Sequence, residues 1–202
     1  MSQALQARSE TTVAKILSAA QTLFLSRTYA DVTLDDIGRL AHVTKGGLYH
    51  HFRSKEQLYL ELLHRDLDQK RELFSQATRS GGSCRSRLDR LTRAYLNLSA
   101  EQRMLVRLVR RDINIFVDPE RANLIRAYQN ALPHQVEAIL EDGVRDGELL
   151  DADARLQSWF FVALVEVALG DYATEVLPDI ESKLNHVLNL FFDGASASAN
   201  GA

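Results

Sequence analysis

The sequence predicts an all-α protein of about nine helices. Apolar residues recur at helical spacing through most of the chain, cap residues punctuate those runs, and turn formers are scarce. With 3 prolines and 10 glycines in 202 residues, a sandwich of many short strands lacks the turns it needs. An apolar content of 46% can fill a core, and 25% charged residues excludes the weakly hydrophobic, highly charged composition of disordered chains.

The first helix carries Val13, Ile16, Leu17, Ala20, Leu23 and Phe24 on one stripe, with Ser9 or Thr11 as its expected cap. A short second helix starts at Thr33, where Asp36 sits near the positive helix end, and turns Leu34, Ile37, Leu40 and Ala41 inward. A third runs from Thr44 to about Phe52. Ser54 caps a long fourth helix whose inner face is Leu58, Tyr59, Leu62, Leu63, Leu67 and Phe74, ending near Ala77. Ser80-Gly-Gly-Ser is a loop. Further helices are expected near 84–98, 102–115, 119–146, 153–173 and 179–193. Asp118-Pro119 reads as a cap and first-turn proline, Pro133 as a kink inside the seventh pattern, and Gly147 as a helix stop. Residues 194–202 are small and polar and read as a disordered tail.

The net charge of −3 divides unevenly. Residues 1–55 hold seven Lys/Arg against four Asp/Glu, so the remaining chain carries −6. A basic head on an acidic body suits a polyanion partner at the head. One cysteine, Cys84, allows neither an internal disulfide nor a multi-cysteine metal site. Its neighbours Arg85 and Arg87 would favour a thiolate, but a plain helix-start cysteine is the favoured reading. His50 and His51 are adjacent, about 100° apart around a helix, and do not form a chelating face. No metal, cofactor or catalytic residue is expected. The apolar run at Trp159–Leu169 is too short to span a bilayer, and the N-terminus lacks a signal-peptide pattern, so a cytoplasmic protein without a membrane partner is expected.

Residues 33–55 read TLDDIGRLAHVTKGGLYHHFRSK: a short helix, a tight turn at Ala41-His42-Val43-Thr44, and a second short helix. Leu48 and Phe52 anchor that second helix, leaving Lys45, Gly46, Gly47, Tyr49 and His50 on its outer and leading surfaces. One helix braces and the next presents its N-terminal residues, which is the arrangement of a helix-turn-helix. The stretch resembles the DNA-binding head of the tetracycline-repressor (TetR) family of bacterial regulators. The family's "DIA", "AGVS", "KGTLYHHF" and "SKEEL" runs match Asp36-Ile37-Gly38, Ala41-His42-Val43-Thr44, the segment Lys45 to Phe52, and Ser54-Lys55-Glu56-Gln57-Leu58. His42 stands where the family's turn glycine is usual, and Gly47 where threonine is frequent.

The resemblance implies a DNA-binding domain at 1–53, a ligand-binding and dimerisation domain at 54–193, and a homodimer that releases a palindromic operator on binding a small inducer. It implies phosphate contacts from Thr33, Tyr49, His50 and Lys55, with Thr44, Lys45, Gly46 and Gly47 opening the recognition helix. Lys45 is the candidate for a base edge. For the inducer it points to Phe74, Tyr95, Met104, Arg107, Leu108, Phe116, Tyr128 and Trp159 on the middle helices. Arg103, Arg107 and Arg110 share one face, read either as an anion site for a coenzyme A thioester or as a solvated surface. The segment from Trp159 is apolar nearly all round, and the last helix carries a second apolar stripe. Phe160, Leu164, Ile180, Leu184, Val187, Leu188 and Phe191 are the expected dimer interface. The alternative is a helical enzyme or ligand carrier with an incidental helix-turn-helix-like head.

Overall fold

The structure, a computed structural model, describes residues 2–79 and 81–194, and side chains from Ala7 onward. Ser80 of the expected loop and residues 195–202 of the expected tail lie outside the described residues. The elements are α1 (Ser2–Ser26), α2 (Leu34–Leu40), α3 (Lys45–His51), α4 (Lys55–Thr78), α5 (Cys84–Leu96), α6 (Ala100–Asp112), a 3-10 turn (Ile113–Ile115), α7 (Glu120–Ala131), α8 (Pro133–Arg145), α9 (Ala154–Ala168), α10 (Asp171–Val176) and α11 (Ile180–Asp193). The described residues form no strand.

Four boundaries differ from the expectation. α1 begins at Ser2 instead of at a Ser9 or Thr11 cap. Nothing in the N-terminal sequence breaks a helix, and the Thr11 and Thr12 hydroxyls donate back to Ala7 O and Arg8 O at 2.8 and 2.9 Å. α6 starts two residues early because Ser99 and Gln102 close a reciprocal capping box. The expected kinked helix at 119–146 is two helices. Pro133 lacks the N–H that would continue α7, Leu132 leaves helical geometry at φ −138 and ψ −57, and Pro133 opens α8. The run at 153–173 likewise breaks, at Leu169-Gly170, into α9 and α10. The stop at Gly147 holds, with φ +73 and Glu148 N–H returning to Gly143 O at 2.8 Å.

The chain forms two compact units. The first comprises residues up to Leu67 together with Ser99–Ala127. Its core is the α1 stripe Ile16, Ala20, Leu23 and Phe24 closed by Val32, Ile37, Leu48, Phe52, Leu58, Tyr59 and Leu63, all buried. An aromatic cluster sits within it: Phe24 and Tyr59 lie 4.2 Å apart between ring centroids, Tyr29 and Tyr59 5.2 Å, and Tyr59 and Phe116 6.0 Å. The Tyr59 hydroxyl donates to Asp112 Oδ2 at 2.5 Å, and Arg111 donates to the same carboxylate at 2.6 and 2.7 Å. Burial first, then this hydrogen bond, raise the Tyr59 phenol well above its ordinary 10.0, so the hydroxyl keeps its proton and remains a donor.

The second unit comprises Asp68–Leu98 and the chain from Tyr128. Here α5, α8, α9 and α11 pack around Leu88, Leu91, Val136, Ile139, Phe161, Val165, Leu184 and Val187. Polar pairs fasten the same helices. Arg87 meets Asp142 at 2.6 Å, Arg93 meets Glu181, and Cys84 N–H donates to Glu148 Oε2 at 2.7 Å. Gly143 is required by close approach. A Cβ there would lie 2.9 Å from Cys84 Cβ and 3.0 Å from its sulfur, closer than carbon atoms pack.

Candidate nucleic-acid interface

The helix-turn-helix forms where the sequence places it, and each short helix is started by its own threonine. Thr33 accepts from Asp36 N–H at 3.1 Å, and Thr44 accepts from Gly47 N–H at 3.1 Å. Helices of seven residues are marginal alone, so the cap bonds and the buried anchors Ile37, Leu48 and Phe52 hold them. The turn closes with Val43 N–H on Gly38 O at 3.0 Å. Gly38 admits Leu48, whose Cδ1 would lie 3.4 Å from a Cβ at that position. His42 takes the left-handed conformation expected of its position, φ +54, and its side chain is exposed.

α3 presents Lys45, Gly46, Tyr49 and His50 to solvent. Gly46 has open space where a Cβ would be, whereas a Cβ at Gly47 would press on the Thr44 hydroxyl at 3.2 Å. Neither glycine has positive φ; Gly46 leaves a low, open leading edge on the helix, and Gly47 leaves room for the Thr44 cap. The Lys45 ammonium lies 3.7 Å from Asp35 Oδ1 and 5.8 Å from the centre of the Tyr49 ring. A small groove of about 250 Å³ runs between α2 and α3, lined by Leu34, Asp35, Arg39, Lys45 and Tyr49 among others. Asp35 and Arg39 were not among the expected site residues. Their spacing of four on a short helix with a buried opposite face is the signal that places both at the surface.

Two expected phosphate ligands are engaged within the chain. The Thr33 hydroxyl donates to Asp36 Oδ2 at 2.7 Å. That bond first, with Arg39 and Arg27 beyond, holds the Asp36 carboxyl below its ordinary 3.8. Lys55 is half-buried instead of standing free at the start of α4. Its ammonium donates to Tyr29 O at 2.8 Å and Ala30 O at 3.5 Å, and sits 4.2 Å from the Tyr29 ring centre. The turn after α1 exposes carbonyls with no helical donor, and the lysine satisfies them. His50 and His51 meet edge to face at 5.0 Å, and no group of three or more His, Cys, Asp or Glu among the described residues could hold a metal. No described helix is long and apolar enough to cross a membrane.

The expected inducer residues fall in both units. In the first, Leu108 and Phe116 are buried in packing, while Met104 and Arg107 are exposed. In the second, Phe74 and Tyr95 are core partners 5.7 Å apart, Tyr128 is half-buried, and Trp159 is 43% exposed. The expected dimer residues differ in exposure. Leu184, Val187 and Leu188 are 0–4% exposed and fill the second unit's own core. Phe191, Ile180 and Leu164 are half-buried against the same core. Phe160, expected at the same interface, is exposed on α9, in an apolar stripe at helical spacing with Leu156, Trp159, Ala163 and Val167, all exposed. Composition alone could not show which sides of α9 its own unit would cover.

Comparison with known proteins agrees with this geometry. Residues 16–62 match the family model for bacterial regulatory proteins of the tetR family, and residues 81–168 match that for the tetracyclin repressor-like C-terminal domain. The HTH-type transcriptional repressor KstR2 of Rhodococcus jostii (strain RHA1) is 28% identical over 188 residues, covering 92% of each chain. Two solved structures share the fold. AibR in complex with isovaleryl coenzyme A and operator DNA has a TM-score of 0.75 at 19% identity, covering 90% of this chain and 98% of that one. FadR from Bacillus subtilis in complex with stearoyl-CoA has a TM-score of 0.73 at 18% identity, covering 91% and 99%. Head and body thus match the two parts of a single architecture, in order, and the chain belongs to the tetR family of bacterial regulatory proteins, ligand-responsive DNA-binding regulators of transcription.

Proposed function

We propose that the protein is a repressor that binds a palindromic operator as a homodimer and leaves it when a largely apolar small molecule, an acyl-CoA thioester or a hydrophobic drug, occupies its body. The observation that carries the reading is the capped, exposed recognition helix with Lys45 at its first position and Tyr49 and His50 following. Cations, hydroxyls and helix starts are the groups that hold phosphates, and the N-terminal residues of such a helix are those that reach base edges. In this reading residues 1–53 form the DNA-binding domain and 54–193 the ligand-binding and dimerisation domain. The α9 stripe supplies the two-fold contact, and the protein has no catalytic step of its own.

The ligand class is supported by the two acyl-CoA complexes among proteins of the same fold and by Arg107, exposed on α6 beside the buried Leu108. α4 is one continuous helix of 24 residues, about 36 Å long, that follows directly on the recognition helix. It is the proposed lever. By reciprocity, a ligand that lowers operator affinity must bind the operator complex more weakly by the same factor. In vitro selection should recover a palindrome. Isovaleryl-CoA, stearoyl-CoA and hydrophobic drugs are then screened for release of that duplex and for a change in fluorescence of Trp159, the single tryptophan. Selection that yields no preferred duplex overturns the operator reading. Ligands that change the fluorescence while leaving the duplex bound overturn the lever.

A further inference from the structure

We infer that Asp35 is a specificity-determining residue that acts through Lys45 to suppress binding to DNA other than the operator. The inference rests on the regulator reading above. The Lys45–Asp35 pair, 3.7 Å apart, is exposed on both sides, 71% for the lysine side chain and 64% for the aspartate. Exposed pairs of this kind contribute little to stability, so the fold does not require it. Its position is what distinguishes it. Lys45 is the first residue of the recognition helix, and Asp35 faces it across the groove that also holds Arg39 and Tyr49. The neighbouring Asp36 is committed elsewhere, to Thr33, Arg27 and Arg39.

A carboxylate at this place works against sequence-independent binding in two ways. Non-specific affinity comes from cations that settle on phosphates and release counterions. Asp35 holds the leading cation away from that role, and its own charge repels the phosphate rails. A carboxylate can be accommodated against DNA only where a base edge offers a donor, and in the major groove cytosine N4 is the usual donor to Asp or Glu. The cost is therefore incurred on sequences that place no amino group opposite Asp35 and relieved on those that do. Lys45, released there, is free for its own contact.

The test uses the full-length protein, Asp35→Asn, Lys45→Gln and the double variant, all checked for unchanged helical content. Each is titrated by fluorescence anisotropy against a mixed-sequence duplex and against the palindrome selected with the wild type, between about 50 and 200 mM salt. The expected result is that Asp35→Asn tightens mixed-sequence binding about three- to ten-fold and steepens its salt dependence by about one phosphate equivalent. The palindrome gains less, so discrimination falls. In the Lys45→Gln background the gain from Asp35→Asn shrinks. Unchanged mixed-sequence affinity and slope, an equal gain on the palindrome, or a full gain without Lys45 would each overturn the inference while leaving the regulator reading intact. A wild type with no salt-dependent binding to either duplex overturns that reading and this inference with it.

Discussion

Replacing Tyr59 with phenylalanine should destabilise the protein by about 2 kcal/mol without touching its DNA-reading surface. The ring would stay in place, packed on Phe24, Tyr29 and Phe116, so no cavity opens. What disappears is one hydrogen bond, at 2.5 Å, from a fully buried hydroxyl to a carboxylate that is itself 6% exposed. Hydrogen bonds to charged groups contribute about 1.5–3 kcal/mol net. The lower half of that range applies, because Asp112 keeps both of its bonds from Arg111 and is not left unsatisfied. Asp112→Ala is the harsher change. It strands the buried hydroxyl and should cost about 3 kcal/mol. For a chain of this length, about 2 kcal/mol corresponds to a fall of roughly 4–8 °C in Tm. Urea and thermal denaturation at one fixed protein concentration would measure it, since assembly shifts apparent stability. A Tyr59→Phe protein within about 0.5 kcal/mol of wild type, the range of neutral surface changes, would refute the argument that this bond secures α4 to the end of α6.

Three further outcomes follow from burial and backbone geometry. Leu184→Ala should cost about 2–5 kcal/mol as a core truncation, whereas Phe160→Asp should leave the fold intact and shift the protein to monomers in sedimentation; the reverse pattern would restore the last helix as the interface. Cys84 should resist thiol reagents until the protein unfolds, because burial first, and the Glu148 charge second, push its thiol up to about 11. The folded thiol holds its proton above the ordinary value of 9.0, so its contribution to stability is complete below pH 9 and is lost as pH rises through 11; rapid native labelling at neutral pH would refute this. His42→Gly should stabilise by about 0.5–1 kcal/mol, since φ +54 costs a side chain and not a glycine, and unchanged or lowered stability would show that the imidazole makes a contact worth more than the strain.

The parts of this molecule that were legible in the sequence are those decided locally. Thr33, Thr44 and Ser54 each start a helix through a bond spanning three residues, and Gly147 ends one by taking positive φ. Periodicity located the stripes on α1 and α4. It did not locate which apolar face of α9 would remain uncovered, because that depends on where α8 and α11 lie against it. The same limit explains Leu184, whose stripe looks identical whether its own unit or a second subunit covers it. The engagement of Lys55 by Tyr29 and Ala30 and the pairing of Tyr59 with Asp112 join positions 26 and 53 residues apart. No spacing rule reaches that far.

The close approach of Gly143 to Cys84 makes two distant positions a single unit of variation. A methyl group at 143 would fall within 2.9 Å of the cysteine's Cβ, so the space belongs to one residue or the other. Enlargement at 143 therefore requires that the backbone at 84 move or its side chain be lost, and that Leu149, whose Cδ1 would lie 3.1 Å away, give way as well. The same constraint governs recombination. A hybrid that takes α8 and α5 from relatives that fill this contact from opposite sides would inherit a side chain at both places or at neither, and be overfilled or hollow there.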